Sequence, residues 1–342
     1  MPVRLPAPLR PGDRIGVTSP SSGVPARLWP RFEHAVGWLR RAGYDVVVGE
    51  CMDGASHVSA PKAVRAAELT AMLADPEIRA VVPPWGGDTA IDLLDRIGWD
   101  ELADADPTWV VGYSDTTTWM LPLTLRLGWA TLHGSNLMDT PYAAPDGLRH
   151  WTEIAGATGP VTQRAIGRHR TAVFDDWVGE PSLEVLDLDA PGDWSLLDPE
   201  SGPVDVTGRL VGGCIEVLGP LAGTAYADVA AFGVEHADEG IVVYLEASDD
   251  DAFTICRQLH AMRYAGWFEH ATAVLVGRTF APDASTMTQH EAVADALGEL
   301  GVPVVLDVEC GHVAPFLPLV NGAPARVVMD ADLREITQDL TR

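Results

Sequence analysis

Short apolar segments alternate with amphipathic helical segments through the first 150 residues, and this alternation restricts the fold more than any other feature of the chain. The predicted strands are residues 14–18, 45–48, 80–83, 109–112 and 130–133, and the predicted helices are residues 26–41, 62–73, 90–97 and 116–127. Strands that alternate with helices indicate a parallel sheet with helices on both faces. We predict a Rossmann- or flavodoxin-like α/β domain whose ligand site lies at the carboxyl ends of its strands.

The length of the chain and a change in composition predict a second domain. A domain has about 100–200 residues, so we assign residues 1–150 to an N-terminal domain and residues 206–342 to a smaller C-terminal α/β domain. Its predicted strands begin at residues 204, 241, 273, 304 and 325, and its predicted helices span 250–265 and 289–300. Residues 151–205 are rich in Gly, Pro, Asp and Trp, which indicates a linker and an insertion that covers the site.

Charge and composition restrict the partners of the protein. A formal net charge of −26 repels phosphate groups, so we expect a small peptide or other small molecule as partner, with no nucleic acid and no membrane. No run approaches the about 20 apolar residues that span a bilayer. Residues 1–6 lack the apolar core of a signal peptide, which predicts a cytoplasmic protein. The four cysteines form no CxxC pair, and dinucleotide and Walker motifs are absent, so we expect neither a metal nor an organic cofactor.

The candidate nucleophile is Ser114, which follows an apolar strand and begins a helix. A serine on such a tight turn presents its hydroxyl beside backbone N–H groups at the positive end of the helix. The pattern Gly-x-Ser-x-Thr matches the Gly-x-Ser-x-Gly nucleophile elbow only in part. The alternative is that Ser114, Asp115 and Thr116 merely cap the helix. Because the only lysine, Lys62, lies in a predicted exposed helix, the base for this serine is a histidine or a carboxylate.

Glu246 and His312 are the candidate partners of Ser114. Glu246 ends the apolar run 241–245, and an acid at the end of a buried strand is costly unless it has a partner. His312 lies just beyond another apolar strand, in a loop shaped by glycine and proline. The alternatives are that Glu246 caps a helix and that His312 is a histidine of a surface loop. The order Ser, Glu, His is that of the α/β-hydrolase triad, but such triads occur in any order.

An acyl-transfer site also needs N–H donors for the oxyanion, and residues 83–89 supply a strand, a Gly-Gly turn and a helix. We expect the N–H groups of Gly87 and Asp115 to form this oxyanion hole, with Trp85 and Asp88 in contact with the substrate. The alternative is that the Gly-Gly pair is only a turn. Its position one strand before Ser114 favours the functional interpretation.

Two other motifs fit poorly. His290 and Glu291 begin a zincin-like pattern, but Ala294 stands where the second histidine ligand belongs. Residues 133–136 are candidates to line the pocket, but Ser135 lacks the context of an elbow.

These segments together resemble the LD-carboxypeptidase family of serine peptidases, and more closely its microcin C immunity peptidase branch. The matching segments, in the family's order, are Gly12-Asp13-Arg14-Ile15, Ser19-Pro20-Ser21-Ser22, Gly86-Gly87-Asp88, Gly112-Tyr113-Ser114-Asp115, His133-Gly134, Gly208-Arg209-Leu210-Val211-Gly212-Gly213, Leu245-Glu246 and Gly311-His312. The resemblance implies that Ser114 is the nucleophile in the N-terminal domain and that Glu246 and His312 complete a triad from the C-terminal domain. The active site would then lie between the domains.

The resemblance also implies a reaction: hydrolysis of an amide bond near a carboxyl terminus, without a metal or organic cofactor, by a homodimer. The immunity peptidases cut the amide that links a peptidyl aspartate to a modified nucleotide. The length of residues 160–205 is similar to that branch, so a peptide or aminoacyl-nucleotide conjugate is the first expectation. Trimming of D-alanine from murein tetrapeptides is the alternative. A non-catalytic binding protein that uses the same cleft is the alternative of another class.

Three further residues are expected to contact the substrate. Trp177 and Trp194, in the insertion, are candidates to stack on a nucleobase or to close a lid, and the alternative is that they fill a Gly/Pro-rich loop. Cys214 occupies the place after the Gly-Gly pair where the family commonly has asparagine. This departure puts the preference for the leaving group in question.

Overall fold

The first half of the chain forms a parallel sheet in the computed structural model, which describes residues 2–342. Its strands are β1 (Arg14–Val17), β2 (Asp45–Val48), β3 (Ile78–Val81), β4 (Trp109–Gly112) and β5 (Thr131–His133). They lie in the order β2-β1-β3-β4-β5, and every neighbouring pair is parallel. This is the flavodoxin-like strand order, so the predicted parallel α/β domain is confirmed.

Four helices accompany these strands: α1 (Trp29–Arg41), α2 (Lys62–Ala74), α3 (Trp99–Ala103) and α4 (Thr117–Leu127). The predicted helix at residues 90–97 is wrong, because only Ala90–Leu93 form a helical turn, of the 3-10 type, and the chain then bends toward α3. The apolar pattern that indicated a helix arises because Leu93, Leu94 and Ile97 are all buried.

The remaining elements are five helices and eleven strands, in residues 151–342. The helices are α5 (Trp151–Gly156), α6 (Ile215–Leu218), α7 (Val229–Glu235), α8 (Ala252–Tyr264) and α9 (Gln289–Leu297). The strands are β6 (Pro160–Arg164), β7 (Arg168–His169), β8 (Ala190–Pro191), β9 (Ser195–Leu196), β10 (Val204–Cys214), β11 (Ile241–Glu246), β12 (Ala271–Gly277), β13 (Val304–Val308), β14 (Leu319–Asn321), β15 (Pro324–Met329) and β16 (Arg334–Asp339). Within residues 2–342, no helix combines the length and apolarity that crossing a membrane requires.

The second sheet has eight strands in the order β6-β16-β15-β10-β11-β12-β13-β9. The strands β10 to β13 are parallel, and the outer strands are antiparallel. The edge strands β6 and β9 come from the region predicted as linker and insertion, and β7 pairs with β8 in a small separate hairpin. The insertion is therefore built partly into the second sheet.

The two sheets are joined through one strand and a shared apolar core. The strand β14, from the C-terminal part of the chain, pairs antiparallel with β5 and becomes the sixth strand of the first sheet. One buried cluster contains Trp119 and Leu123 of α4 together with Val211 of β10 and Ile215 and Leu218 of α6. Since burial of apolar surface is non-directional and additive, this continuous cluster holds the two halves together.

Asn321 links the two sheets by hydrogen bonds. Its Oδ1 accepts the backbone N–H of Gly212 at 3.0 Å and the hydroxyl of Tyr244 at 2.9 Å. Its Nδ2 donates to Thr131 Oγ1 at 3.2 Å. Because Asn321 is fully buried, water cannot replace it as the hydrogen-bond partner of these groups.

We predict that Asn321→Ala lowers the free energy of unfolding by about 1–3 kcal/mol, because it leaves a buried N–H and a buried hydroxyl without a partner. Urea denaturation followed by circular dichroism measures this change. Arg326→Ala, which removes an exposed ion pair with Asp205 on the second sheet, is the control and is expected to shift the midpoint little. An unchanged midpoint for Asn321→Ala would contradict the role of this residue.

Candidate active site

Ser114 lies on a strained turn between β4 and α4. Its φ is +63°, a left-handed conformation that non-glycine residues rarely adopt. Residues Ser114–Thr116 form a single 3-10 turn that leads directly into α4. A strained non-glycine residue at such a junction is typical of functional sites, where the surrounding structure maintains the strain. The geometry fits a nucleophile elbow better than an ordinary helix cap.

Asp115 holds this turn in place. Its carboxylate accepts hydrogen bonds from Ser21 Oγ at 2.6 Å, from the N–H of Ala90 at 2.8 Å and from Thr118 Oγ1 at 3.0 Å. Burial raises the pKa of Asp115, and the three hydrogen bonds oppose that rise. The side chain of Asp115 therefore stabilises the turn. Its backbone N–H, the predicted oxyanion donor, comes directly after Ser114 in the chain.

The Gly-Gly turn after β3 packs against Ser114. A methyl carbon added at Gly86 would lie 2.8 Å from Ser114 Oγ and 2.9 Å from the nitrogen of Asp115. Only glycine permits this approach, because any side chain would displace the serine. Gly87, the predicted donor, and Gly86, the other glycine of the predicted turn, both line the cavity beside Ser114.

His312 and Glu246 form a hydrogen-bonded pair. His312 Nδ1 donates to Glu246 Oε2 at 2.7 Å, and the glutamate is 0% exposed at the end of β11. Gly311 allows this contact, since a methyl carbon there would lie 2.6 Å from Cβ of Glu246. The ring of Tyr113 packs edge-on against His312 at 4.9 Å between ring centres. The imidazole is thus fixed both by the carboxylate and by an aromatic neighbour.

The charges of this pair shift both pKa values. Burial raises the pKa of Glu246, but the interactions with His312 and His133 together outweigh burial and bring it to about 2. Burial lowers the pKa of His312, but the charge and hydrogen bond of Glu246, together with the charges of Glu216 and Asp249, outweigh burial and raise the pKa above 6.5. The glutamate stabilises the fold above pH 4.5 and loses this effect as pH falls toward about 2. The histidine stabilises it below pH 6.5 and loses this effect as pH rises through its raised pKa.

A second histidine faces the other oxygen of Glu246. His133, at the end of β5, has its Nε2 3.7 Å from Glu246 Oε1, and it is 1% exposed. This separation is longer than a hydrogen bond, and neither atom has another partner among residues 2–342. The carboxylate of Glu246 therefore lies between two histidines from the two sheets.

Residues that follow the strands of both sheets line one cavity of about 560 Å³. Ser22 follows β1, Ser114 follows β4, Glu216 follows β10 and His312 follows β13. The other lining residues are Trp85, Gly86, Gly87, Asp88, Tyr113, Asn136, Phe174, Cys214, Val217, Ser248, Asp249 and Asp250. Within residues 2–342, no hydrogen bond joins Ser114 Oγ to His312. In many enzymes the nucleophile and its base form this bond only when the substrate binds.

The predicted substrate contacts divide into two groups. Trp85, Asp88 and Cys214 line the cavity, as the sequence predicts. Trp177 and Trp194 do not. Trp194 is 2% exposed and donates from Nε1 to Glu309 at 2.5 Å, and Trp177 donates to the hydroxyl of Tyr142 at 2.7 Å. Trp194 is buried in the core of the second sheet, and Trp177 packs against the core of the N-terminal half. They attach the insertion to the two halves of the protein, so neither contact with the substrate nor filling of the loop describes their position.

Several residues of the cavity were missed by sequence reasoning. Phe174 extends from the insertion and is 79% exposed. Glu216 lies in the first turn of α6, directly after β10, and Asp249 and Asp250 lie in the loop after β11. Proximity in sequence to Cys214 and Glu246 was the available signal, since residues that follow neighbouring parallel strands emerge at the same edge of a sheet.

Two side-chain groups have the donor types of a metal site. Cys214, Glu246 and His312 bring one donor atom each within 4.8 Å of one another, and Cys256, His260 and Asp295 do so between α8 and α9. Burial raises the pKa of the Cys214 thiol well above its ordinary value. A metal at the first group requires a thiolate, which burial opposes, so this group fits an acid–base pair better.

Comparisons with known proteins match both halves of the chain to one family. The model of the LD-carboxypeptidase N-terminal domain matches residues 15–134, and that of the LD-carboxypeptidase C-terminal domain matches residues 207–327. A putative carboxypeptidase of Streptomyces coelicolor is 30% identical over 98% of this chain and 96% of its own. A probable murein peptide carboxypeptidase of Bacillus subtilis is 22% identical over 94% of this chain and 90% of its own.

Solved structures show the same fold. Two structures of the microcin C7 self-immunity protein MccF superimpose with a TM-score of 0.82 at 23% identity, over 99% of this chain and all of theirs. One is a complex with aspartyl sulfamoyl adenosine. The other is an active-site mutant in which a serine, an asparagine and a lysine are replaced by alanine.

We predict that Glu246→Gln lowers the pKa of His312, because burial is then opposed only by the smaller contributions of Glu216 and Asp249. NMR titration of the histidine ring measures the change, with the wild-type value expected above 6.5. Glu309→Gln is the matched control, since Glu309 is also fully buried but is bonded to Trp194 instead. An unchanged pKa in Glu246→Gln would show that the pair is not coupled.

Proposed function

Since this chain belongs to the LD-carboxypeptidase family of serine peptidases, we propose that Ser114, Glu246 and His312 form its catalytic triad. The substrate is a small peptide or aminoacyl conjugate, cut at an amide bond near a carboxyl terminus. The observation that carries the proposal is the buried hydrogen bond between His312 and Glu246 beside a cavity that also contains the strained serine. A binding protein without turnover has no need of this arrangement.

Each residue of the triad has a chemical role that follows from its position. The bond from Nδ1 to Glu246 leaves Nε2 of His312 to take the proton of Ser114 as the serine attacks the carbonyl carbon. The backbone N–H groups of Asp115 and Gly87 stabilise the oxyanion. His312 then donates its proton to the leaving amine, and water, activated in the same way, releases the acyl group.

The environment of Glu246 supports its role as the residue that orients His312. A fully buried carboxylate is costly unless it is paired. His312 pairs with one of its oxygens, and His133 lies near the other. Because the carboxylate raises the pKa of His312, it strengthens the base that accepts the proton of Ser114.

The first candidate substrate is an aminoacyl conjugate of the kind that the MccF structure binds, aspartyl sulfamoyl adenosine. A cavity of about 560 Å³ accepts a ligand of this size class. Murein tetrapeptides, suggested by the relative from Bacillus subtilis, are the second candidate. The active-site mutant of MccF includes a lysine, whereas neither lysine nor arginine lines the cavity within residues 2–342. A cavity lined without a cation disfavours recognition of a free terminal carboxylate. It therefore disfavours murein tetrapeptides, the second candidate.

We predict that Ser114→Ala reduces kcat at least about 10³-fold, because the attacking oxygen is lost. The assay incubates the protein with a peptidyl-aspartyl nucleotide analogue and with a murein tetrapeptide, and follows release of the nucleotide amine or of D-alanine by mass spectrometry. Ser135→Ala, at a buried serine after the neighbouring strand β5, is the matched control and should remain active. Full activity in Ser114→Ala, or loss of wild-type activity on chelation of metals, would refute the triad.

The triad also predicts a pH profile. Only neutral His312 accepts a proton, so kcat/KM should rise with pH and reach a plateau. The midpoint is expected above 6.5, because Glu246 raises the pKa of His312. Initial rates at low substrate concentration, in buffers of constant ionic strength, measure it. A midpoint below 6.5 would argue against His312 as the base.

A further inference from the structure

Two buried polar atoms face each other behind the proposed triad. His133 Nε2 lies 3.7 Å from Glu246 Oε1, and the two residues are 1% and 0% exposed. Neither atom has a hydrogen-bond partner in the part of the chain that the structure describes. Buried polar atoms are almost always bonded, so a facing pair without partners needs an explanation. A single bond between the two atoms would satisfy both of them.

The chemistry of the two groups determines which of them donates. An ionised carboxylate only accepts hydrogen bonds, and the pKa of Glu246, at about 2, keeps this carboxylate ionised at neutral pH. A bare ring nitrogen would direct its lone pair at the negative charge, which is repulsive. The ring proton of His133 therefore belongs on Nε2. The separation then becomes a hydrogen bond after a movement of less than about 1 Å.

The backbone of β5 holds His133 between the two halves of the site. In the parallel pair of β4 with β5, His133 lies opposite Gly112, two residues before Ser114. In the antiparallel pair of β5 with β14 it lies opposite Leu319, and His312 belongs to the loop that leads into β14. Strand pairing on both sides thus fixes the position of His133 relative to the proposed nucleophile and to the proposed base.

Aromatic rings fix the orientation of the His133 imidazole. Tyr244 packs edge-on against it at 5.3 Å between ring centres, and the hydroxyl of Tyr244 is bonded to Asn321. The ring of Tyr113 lies 6.4 Å from that of His133 and 4.9 Å from that of His312. A residue that only filled this space would need no polar atom, and an apolar side chain would fill it at lower cost.

The second oxygen of Glu246 matters because the first one holds the base. His312 Nδ1 is bonded to Oε2 at 2.7 Å. The last torsion of a glutamate side chain is broad, so a carboxylate bonded through one oxygen alone can still rotate. A bond at Oε1 stops that rotation and so fixes the direction in which His312 Nε2 points. A displacement of about 1 Å in a catalytic group can cost about 100-fold in rate.

We propose that His133 is a positioning residue that donates a hydrogen bond from Nε2 to Glu246 Oε1 and so orients His312 through the carboxylate. This inference rests on the proposed function and adds a fourth side chain to its machinery. It also makes the docking of the two sheets a condition of catalysis, because His133 belongs to the first sheet and Glu246 to the second.

The position of the ring proton is the first test, and it needs no turnover. Nitrogen NMR of isotope-labelled protein distinguishes a protonated from a bare ring nitrogen by its chemical shift. We expect Nε2 of His133 to be protonated in wild-type protein without substrate, and the loss of its signal in His133→Phe assigns it. A bare Nε2 overturns the inference, whatever the activity of the protein.

Two substitutions separate the donor from the ring. His133→Gln places an amide N–H near the position of Nε2, whereas His133→Phe keeps a ring and removes the donor. We expect His133→Phe to lower kcat by about 10- to 100-fold with little change in KM, and His133→Gln to retain most of the wild-type kcat. His150→Phe, at a histidine bonded to Thr140 instead, is the matched control and should leave kcat unchanged.

Circular dichroism and the urea midpoint show whether each variant is folded. A kcat for His133→Gln that is equal to or below that of His133→Phe would show that only the ring matters, and would overturn the inference. Wild-type kcat in His133→Phe would overturn it as well.

A double-mutant cycle tests whether His133 acts through Glu246. In Glu246→Ala protein there is no carboxylate to orient, so adding His133→Phe should change the residual kcat by less than about twofold. Losses that multiply as if independent would show that His133 acts on the fold or on the substrate, and would overturn the inference.

A measurement without substrate separates this inference from the proposed function. If wild-type protein cleaves no substrate, the proposed function fails, and the exchange of the His312 Nδ1 proton with water decides the inference. Faster exchange in His133→Phe than in wild-type protein and His133→Gln supports it, because the carboxylate that holds this proton is then free to rotate. Equal exchange rates in the three proteins overturn it.

Discussion

The pairing of β14 with β5 is the contact on which the candidate site depends. It makes a strand from the C-terminal part of the chain the edge of the N-terminal sheet, with Leu319 opposite His133. His312 lies in the short loop just before β14, so the pairing restricts where this histidine can lie. Asn321 and the apolar cluster around α4 and β10 reinforce the contact. The loops after both sets of parallel strands consequently open into one cavity.

Several unfavourable features of the structure lie at this cavity or next to it. Ser114 has a left-handed backbone, Glu246 is a fully buried acid, and His133 and Glu246 each carry a buried polar atom without a hydrogen bond among residues 2–342. Proteins keep such local costs mainly where function requires them. The rigid sheets on both sides supply the packing that maintains them. The carboxylates of Glu216 and Asp249 also raise the pKa of His312, so residues outside the proposed triad contribute to the electrostatics of the site.

Sequence reasoning succeeded where a local pattern reports a local structure. The parallel strands were found because apolar runs at regular spacing identify buried strands, and the glycine before Tyr113 marked the turn that holds Ser114. It failed where burial has several causes. Residues 90–97 look like a helix because three of their apolar residues are buried, and only a 3-10 turn forms. Trp194 was a candidate for substrate contact, but it is buried in the core of the second sheet, which its position in a Gly-rich stretch does not indicate.

The fold class, the positions of Ser114, Glu246 and His312 near strand ends, and the glycine turns beside them could be predicted from the sequence. Strand periodicity and turn chemistry are encoded within a few residues. Three features are visible only once the chain is folded: His312 Nδ1 bonds to Glu246 Oε2, Gly86 packs against Ser114, and four carboxylates line one cavity. These contacts join residues far apart in the chain. They arise when the two sheets dock through β14, an event that depends on long-range packing and leaves no mark in any short stretch of sequence.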